Sequence, residues 1–417
     1  MSIERAFRPV DYVKISIFAA ALSVLWPCLH SVIIPLRLLE FIPEAQKNTY
    51  LGLMTFAGSM IALFVQPVAG AISDRFSSRF GRRRPFILVG TLLALLFLPG
   101  IGLSSSFPLL LLGYCLLQVA TNIAQGPFQA FIPDLVPDRR RGVASGAKSL
   151  AEILGGVAFL RLVAYFMDNY TNGGGETWLW LAIGIPGLIL LAGMVTTMLI
   201  VKEQPSSFQG QPSNTKTIFG AYKIDVKENT SFIWFLVSRL FILMAMVVLQ
   251  TFALYFIRDV IHHPNPGGVT ADLLITVGIS MLLAVYPAGQ LSDILGRKPI
   301  ILFSGFIGIV GILVLFFSRT YTGTLVCGGL VGISAGAFLS TNWALATDLV
   351  PAGEEARYLG LTNMATAGAG ALARLTGPVI DFFNARQYGS GYSIMLLICV
   401  LYFILGSALI LPVRIKN

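Results

Sequence analysis

Residues 70–90 read G-A-I-S-D-R-F-S-S-R-F-G-R-R-R-P-F-I-L-V-G. The stretch lies between two long apolar runs and packs Arg75, Arg79, Arg82, Arg83 and Arg84 into one short loop. A shorter copy returns about 220 residues later as Gly289-Gln-Leu-Ser-Asp293-Ile-Leu-Gly296-Arg297-Lys298-Pro299. Two copies of so unusual a helix–loop–helix imply a chain built from two related halves. Small residues such as Gly70 allow close helix approach. Asp74, at the end of its helix, is placed to accept from the N-terminal amides of another helix. Gly81 and Gly296 precede the arginines at matching positions.

Composition fixes the environment. Hydrophobic residues are 55% of the 417 and charged residues 12%, with a mean hydropathy of +0.78. Soluble domains carry about 25% charged residues, so this chain belongs in a bilayer. A spanning helix needs about 20 apolar residues, which leaves room for about twelve. Spans are expected at 14–39, 49–74, 84–104, 107–136, 140–168, 177–201, 230–257, 269–292, 298–318, 321–349, 356–383 and 390–412. The polar stretch 202–229 separates a six-helix bundle, 1–201, from a second, 230–417, and its Pro, Ser and Gln content makes it a linker. A second repeat supports the division: Pro133-Asp134-Leu-Val-Pro137 ends span 4, and Thr347-Asp348-Leu-Val-Pro351 ends span 10.

The net charge of +9 does not indicate nucleic acid, because the basic residues cluster in alternate loops: 75–84, 139–141, 202–227, 297–298 and 414–416. The other loops hold chiefly Lys47, Arg258, Arg319 and Arg386. This positive-inside pattern places both termini in the cytoplasm of a multi-pass protein. Cys28, Cys115, Cys327 and Cys399 sit in apolar runs, placed for neither disulfide nor metal. No cleavable leader or lipid anchor is expected. Without a nucleotide loop, catalytic triad or metal cluster, the chain reads as neither an enzyme nor an ATP-driven pump, and no cofactor or metal is expected.

Polar residues inside spans are the functional candidates. Span 4 carries Gln118, Asn122, Gln125 and Gln129, whose spacing of four, three and four sets them on one helix face. Four carboxamides facing lipid would be costly, so this face is expected to line a polar cavity. Span 5 carries Lys148 and Glu152 one turn apart, then Arg161, which falls on the opposite face from Glu152. Glu152, Lys148 and Arg161 are coupling candidates, with a fixed Lys148–Glu152 ion pair as the plain alternative. Span 7 places Arg239 and Gln250 on one face as candidate solute contacts, Arg239 also as a candidate for charge-dependent coupling. Arg374 and Asp381, seven apart across Gly377-Pro378, are expected to pair near the outer surface. His30 and Trp26 of span 1 and Trp343 of span 10 are candidate solute contacts, His30 also a coupling candidate. Set against these are the plain readings of satisfied polar group and packed aromatic.

Twelve spans in six-plus-six halves, with G-x-x-S-D…G-R-R/K after spans 2 and 8, resemble the major facilitator superfamily. That resemblance implies an all-α membrane protein of two pseudo-symmetric six-helix bundles that binds a small solute midway between them and acts by alternating access. Within it, 73–87 is similar to the corresponding loop of the sucrose–proton symporters and their glycoside–pentoside–hexuronide relatives. Leu117-Gln118-Val-Ala-Thr-Asn122-Ile-Ala-Gln125-Gly126-Pro127-Phe-Gln129 resembles their L-D-V-A-N-N-x-x-Q-G-P-x-R, and Trp26 and Pro35 keep a similar spacing. The aspartate and arginine that the plant family uses for proton and sugar are here Gln118 and Gln129, and an amide carries no proton at physiological pH. The acidic residues of the sodium–melibiose relatives are replaced in span 2 by Ala62 and Gln66.

The expected function is therefore transport of a small polar solute, a sugar or glycoside, by a monomer in the lipid bilayer, with protons as the candidate coupling ion. Gly70, Asp74, Arg75, Gly81, Arg82 and Asp134 in one half and Asp293, Gly296, Arg297 and Asp348 in the other are expected to latch and release the cytoplasmic ends. Two alternatives stand beside it. An exporter of amphipathic compounds is disfavoured by the absence of proline from S-L-A-E-I-L-G-G-V-A-F-L (149–160), where drug–proton antiporters carry a Gly-Pro motif. A non-transporting membrane assembly factor fits the missing span-4 charges.

Overall fold

The computed structural model describes residues 9–76, 78, 80–137, 140–201, 203, 229–350 and 355–414, with the side chains of 355–357 excepted. Arg79, Arg139 and nearly all of the linker lie outside the described residues, as does the side chain of Arg357. The described secondary structure is helical throughout. Ten long apolar helices follow in order: α1 (Pro9–Leu38), α2 (Glu44–Arg75), α3 (Arg84–Leu103), α4 (Phe107–Leu135), α5 (Arg141–Gly174), α6 (Glu176–Ile200), α7 (Thr230–Ile261), α8 (Pro266–Leu295), α9 (Arg297–Phe317) and α10 (Tyr321–Leu349). They are followed by α11 (Glu355–Arg374), α12 (Gly377–Asn384) and α13 (Ser390–Leu409). Eleven of the described helices are long and apolar enough to cross a membrane. The expected eleventh span is the pair α11 and α12. Its Ala-Thr-Gly composition lowers the hydropathy, and the helix is interrupted before Gly377-Pro378, where proline cannot donate to the preceding turn.

Contacts divide the described residues into two units. The first holds residues through Ile42 and from Ala57 to the end of α6. The second holds Pro43–Phe56 and everything from α7 onward. The first turns of α2 thus group with the second unit. In the first unit α1 packs on α5 and α6, and α3 on α4 and α6. The second unit repeats the scheme: α7 packs on α11 and α13, and α9 on α10 and α13. The shared pattern is the three-dimensional counterpart of the two sequence repeats.

Local breaks position polar side chains. In α1 the chain passes through a π turn over Leu29–Ile33, where the Ile34 amide donates to the Leu29 carbonyl. Pro35 lacks an amide hydrogen and crowds the carbonyl four residues back, so the bonding pattern widens just ahead of it. The turn carries His30. Arg37, buried one turn later, donates to the carbonyls of Gly102 (3.2 Å) and Ser104 (2.8 Å) and so caps α3. A Cβ added at Gly155 of α5 would lie 2.3 Å from the Ala20 carbonyl oxygen. Glycine there sets how closely α1 and α5 cross, beside the cleft described next.

Candidate functional site

In the first unit, α1, α4 and α5 enclose a cleft of about 50 Å³ whose polar lining is Ser23, Trp26, Gln125, Gln129, Lys148 and Glu152. Lys148 and Glu152 face each other at 3.4 Å one turn apart, both partly exposed. The Lys148 ammonium also lies 5.7 Å from the Phe128 ring centre, within cation–π range. The cleft therefore offers a cation, an anion, two carboxamides, a hydroxyl and an indole. Arg161 lies past the helix break at Phe159, exposed, and does not line it.

The four carboxamides of α4 do not act as one row. Gln118 and Asn122 are buried, at 5% and 3% exposure, and their hydrogen bonds stay inside the bundle. The Asn122 amide donates to Gln118 Oε1 at 3.2 Å and to the Gln118 carbonyl at 2.8 Å. Gln118 Nε2 donates to the Tyr114 hydroxyl at 2.8 Å, and that hydroxyl lies 3.0 Å from His30 Nε2. The His30 ring rests 4.9 Å from the Trp26 ring. A stripe on one helix face here runs about 16 Å along the axis, long enough for one end to line a cleft while the other is sealed. Tyr114 accepts from Gln118, and its hydroxyl can also accept from His30 Nε2 or donate to it, as the imidazole tautomer sets. Counting carboxamides and charges along span 4 does not single out Tyr114, although it stands one turn before Gln118 on the same face.

In the second unit Arg239 is 2% exposed. Its Nε donates to Thr366 Oγ1 at 3.1 Å, an NH donates to Asn342 Oδ1, and its guanidinium carbon stands 5.3 Å from the Trp343 ring centre. Gln250, expected on the same face, is exposed.

The two loop motifs each build an ion-pair relay inside one unit. In the first, Arg83 is the centre. It donates to Asp74 at 2.5 Å, Asp134 at 3.0 Å and Ser73 at 2.5 Å, while Arg82 meets Asp134 at 2.5 Å. In the second, Arg297 meets Asp293, Asp348 at 3.1 Å and Ser292 at 2.8 Å. The two D-L-V-P aspartates thus have the same task. Gly81 and Gly296 turn the chain with φ of +98° and +90°, a region open chiefly to glycine. Glu203, just past α6, accepts the Arg83 amide at 3.0 Å, and burial raises its carboxyl above the ordinary range. Two expectations change here. Arg83, which the expected latch set omits, is the centre of the relay, with Arg82 beside it on Asp134. Gly70 has open space where a Cβ would stand, and the close approach is made from α4 by Gly126, whose added Cβ would meet the Gln66 carbonyl oxygen at 2.3 Å.

A buried polar network in the second unit has no counterpart among the sequence expectations. Lys47 is 3% exposed and pairs with Asp259 at 2.6 Å as well as with Glu44. The Tyr392 hydroxyl donates to Asp259 at 2.5 Å. Asp381 does not have Arg374 as its partner. It accepts from Asn48 Nδ2 at 2.8 Å and from the Thr49 amide at 2.6 Å, the free N-terminal amide of a helix favouring a carboxylate. Arg374 donates to the Gly370 carbonyl at 3.0 Å. Helical spacing within one span cannot detect the Lys47–Asp259 and Asn48–Asp381 pairs, because the partners are more than 200 residues apart in sequence.

Residues 46–413 match the family described as MFS/sugar transport protein. The sucrose transport protein SUC4 of Arabidopsis thaliana is 31% identical over 158 residues, 34% of this chain and 29% of that protein. The match to such curated relatives spans less than a third of their length. Among solved structures, the nucleoside transporter NupG superposes with a TM-score of 0.76 at 13% identity, covering 95% of this chain and 98% of that one. A bacterial homologue of the human lysosomal transporter Spinster superposes with a TM-score of 0.71 at 16% identity, covering 99% of each. These structures share the fold.

Proposed function

The chain belongs to the MFS/sugar transport protein family, and from that premise we propose that it moves a sugar or glycoside across the membrane by alternating access. The observation that carries this is the first-unit cleft, where Trp26, Gln125, Gln129, Lys148 and Glu152 converge. Each group suits a polyhydroxylated ring. An indole offers an apolar plate to the C–H face of a pyranose. A carboxamide offers two donors and an acceptor to neighbouring hydroxyls. The Lys148–Glu152 pair supplies charge-assisted hydrogen bonds. A water's share of liquid volume is about 30 Å³, so the cleft takes a hydroxyl-bearing edge of the solute rather than a whole disaccharide.

Coupling, in this reading, runs through Glu152. It is the carboxylate in the cleft, and the span-4 positions where the plant symporters carry charge are amides. A proton on Glu152 releases Lys148 and changes what the cleft offers the solute. Protonated His30 would donate from Nε2 to the Tyr114 hydroxyl, which makes the His30–Tyr114–Gln118 relay a second proton-responsive element of this reading. The relays at Arg83 and Arg297 hold their loops in shape as the pathway opens and closes.

The test is uptake of labelled sucrose and of smaller glycosides into proteoliposomes, with and without an inward proton gradient. Gradient-driven accumulation by the wild type that Glu152→Gln converts to simple equilibration supports the reading. Gln129→Ala is expected to raise the half-saturating concentration about tenfold, the worth of one or two lost hydrogen bonds. Uptake indifferent to the gradient removes the coupling step, and absence of uptake of any sugar or glycoside removes the substrate class.

A further inference from the structure

Sequence spacing groups His30 and Trp26 as solute contacts, and the structure separates them. Trp26 lines the first-unit cleft and His30 does not. His30 stands one turn further along α1 on the same stripe of the helix. Its ring lies 4.9 Å from the Trp26 ring at an interplanar angle of 31°, and its Nε2 lies 3.0 Å from the Tyr114 hydroxyl of α4. His30 meets Tyr114 and Phe18 meets Phe128, so α1 and α4 run antiparallel along this stretch. Each helix therefore carries relay residues at one end of its inner stripe and cleft residues at the other. Among the described residues Trp26 is shared by both sets.

A second observation fixes the far side of the imidazole. Tyr114 is fully buried, and its phenol lies on the bare backbone of α2. A Cβ added at Gly58 would come within 2.2 Å of the Tyr114 hydroxyl oxygen and 2.6 Å of two of its ring carbons. Any side chain at position 58 would push the phenol away. Gln118 Nε2 holds the same hydroxyl at 2.8 Å. The imidazole is thus set between a phenol fixed by α2 and α4 and an indole, half-buried, that opens on the cleft. Of its two neighbours the indole has room to respond.

An imidazole changes charge between about pH 5 and 8. Against an indole the neutral ring makes aromatic contact, and the cationic ring adds cation–π attraction. The protonated ring donates from Nε2 to a Tyr114 oxygen that Gly58 and Gln118 keep in place, so the response to the added charge falls on Trp26. The other titratable and charged groups on the elements packed around this stretch are Tyr114 on α4, Lys148, Glu152, Arg161 and Asp168 on α5, and Glu176 in the first turn of α6. Lys148 and Glu152 pair with each other in the cleft, Arg161 is exposed, and Asp168 is buried near the C-terminal end of α5.

We propose that His30 is a positioning residue: it holds the Trp26 indole at the cleft, braced from behind by Tyr114 on Gly58, and its proton sets how firmly that plate is held. The solute then meets the indole and not the imidazole. That the plate receives a sugar rests on the function proposed above, whereas the pH-dependent hold on Trp26 stands on the packing of α1, α2 and α4 alone.

The first measurement is tryptophan fluorescence of the purified full chain, without solute, from about pH 5 to 8. The difference between wild type and Trp26→Phe isolates Trp26 from the other tryptophans. That signal is expected to change in one step with pH, to lose the step in His30→Gln and to keep it in Glu152→Gln. Tyr114→Phe and Gly58→Ala should each move the midpoint by about half to one pH unit, the worth of one hydrogen bond. The second measurement is equilibrating uptake of labelled sucrose in the Glu152→Gln background, where His30 is the titrating group left beside the cleft. The half-saturating concentration should change about threefold across the step, the fold-change of a weak cation–π contact, and should hold one value when His30→Gln is added. No step in the Trp26 signal, or a step that survives His30→Gln, overturns the proposal. A step that vanishes in Glu152→Gln belongs to the cleft carboxylate and overturns it too. A midpoint unmoved by both Tyr114→Phe and Gly58→Ala refutes the brace. A step as expected with sucrose uptake that ignores pH, or with no uptake, upholds the His30–Trp26 unit and removes the sugar plate, which is a failure of the function reading alone. If His30→Gln does not fold, the wild-type step and its shift in Tyr114→Phe decide.

Discussion

Replacing Lys47 by methionine should be among the most damaging single changes in the second unit. Lys47 and Asp259 are 3% and 4% exposed at the side chain, 2.6 Å apart. At an effective dielectric of 20 two unit charges at that distance attract by about 6 kcal/mol, most of which offsets desolvation of the pair. The thioether side chain would fill the volume of the lysine methylenes and keep the contact with Tyr255, over whose ring the ammonium sits at 5.4 Å. Asp259 would then keep the Tyr392 hydroxyl and lose its cation. An uncompensated buried charge of this kind costs about 3–5 kcal/mol. The assay is thermal unfolding of the detergent-solubilised protein, followed by fluorescence and by loss of the monodisperse peak. The double variant Lys47→Met with Asp259→Asn removes both charges and should recover more than half of the lost stability, since an apolar or neutral replacement of a buried pair is often near neutral. A single variant as stable as wild type, or a double variant no better than the single one, would refute the account of Lys47–Asp259 as a desolvated ion pair.

Arg83→Ala should cost about 2 kcal/mol, because a buried guanidinium with charge-assisted hydrogen bonds is lost while Asp74 is solvated and Asp134 keeps Arg82, whereas Arg297→Ala should cost about 1 kcal/mol, since Arg297 and its acids are more exposed; parallel melting curves check the order. Tyr114→Phe leaves the Gln118 amide without its acceptor and should lose about 1–3 kcal/mol, while Cys115→Ser, next to it but outside the relay, should cost less. The carboxyl of Glu203 is raised by burial despite the Arg83 and Arg84 amides. Its folded value lies above its unfolded one, so its favourable contribution is present below the unfolded range near about 4.3 and is lost as pH rises through the folded value. Glu203→Gln should therefore match the wild type near pH 4 and exceed it in stability by pH 8; a difference that shrinks with rising pH would reverse the sign.

The spans were legible because each is a long apolar run, and the bilayer imposes that length whatever the packing. Expected and observed helices agree to within a few residues over most of the chain: 84–104 against Arg84–Leu103, 107–136 against Phe107–Leu135, 321–349 against Tyr321–Leu349. The paired motifs were legible for a related reason. Gly81 and Gly296 sit at positive-φ turns and Asp134 and Asp348 at ion pairs, and such places tolerate few residue types. Which of five neighbouring arginines fills the relay could not be read. Arg82, Arg83 and Arg84 follow one another directly, and only the partners brought by α2 and α4 select Arg83.

The candidate sites were legible as residues and not as constellations. Periodicity places Gln118, Asn122, Gln125 and Gln129 on one stripe of α4, but what lies opposite each turn depends on a different helix. Tyr114 and the π turn of α1 consume the first pair. α5 presents Lys148 and Glu152 to the second pair. The same limit hid the Lys47–Asp259 and Asn48–Asp381 contacts, whose partners lie in distant spans. Charge balance recovers part of what periodicity misses. A buried cation in a bilayer is expected to own an anion, and Arg37, Lys47 and Arg83 do. Arg239 stands apart by that rule even before its neighbours are known, since α7 offers no acid over Thr230–Phe256. The packing then adds Asn342 and Thr366, both neutral. An arginine serving structure alone would be cheaper as Gln or Met at this depth.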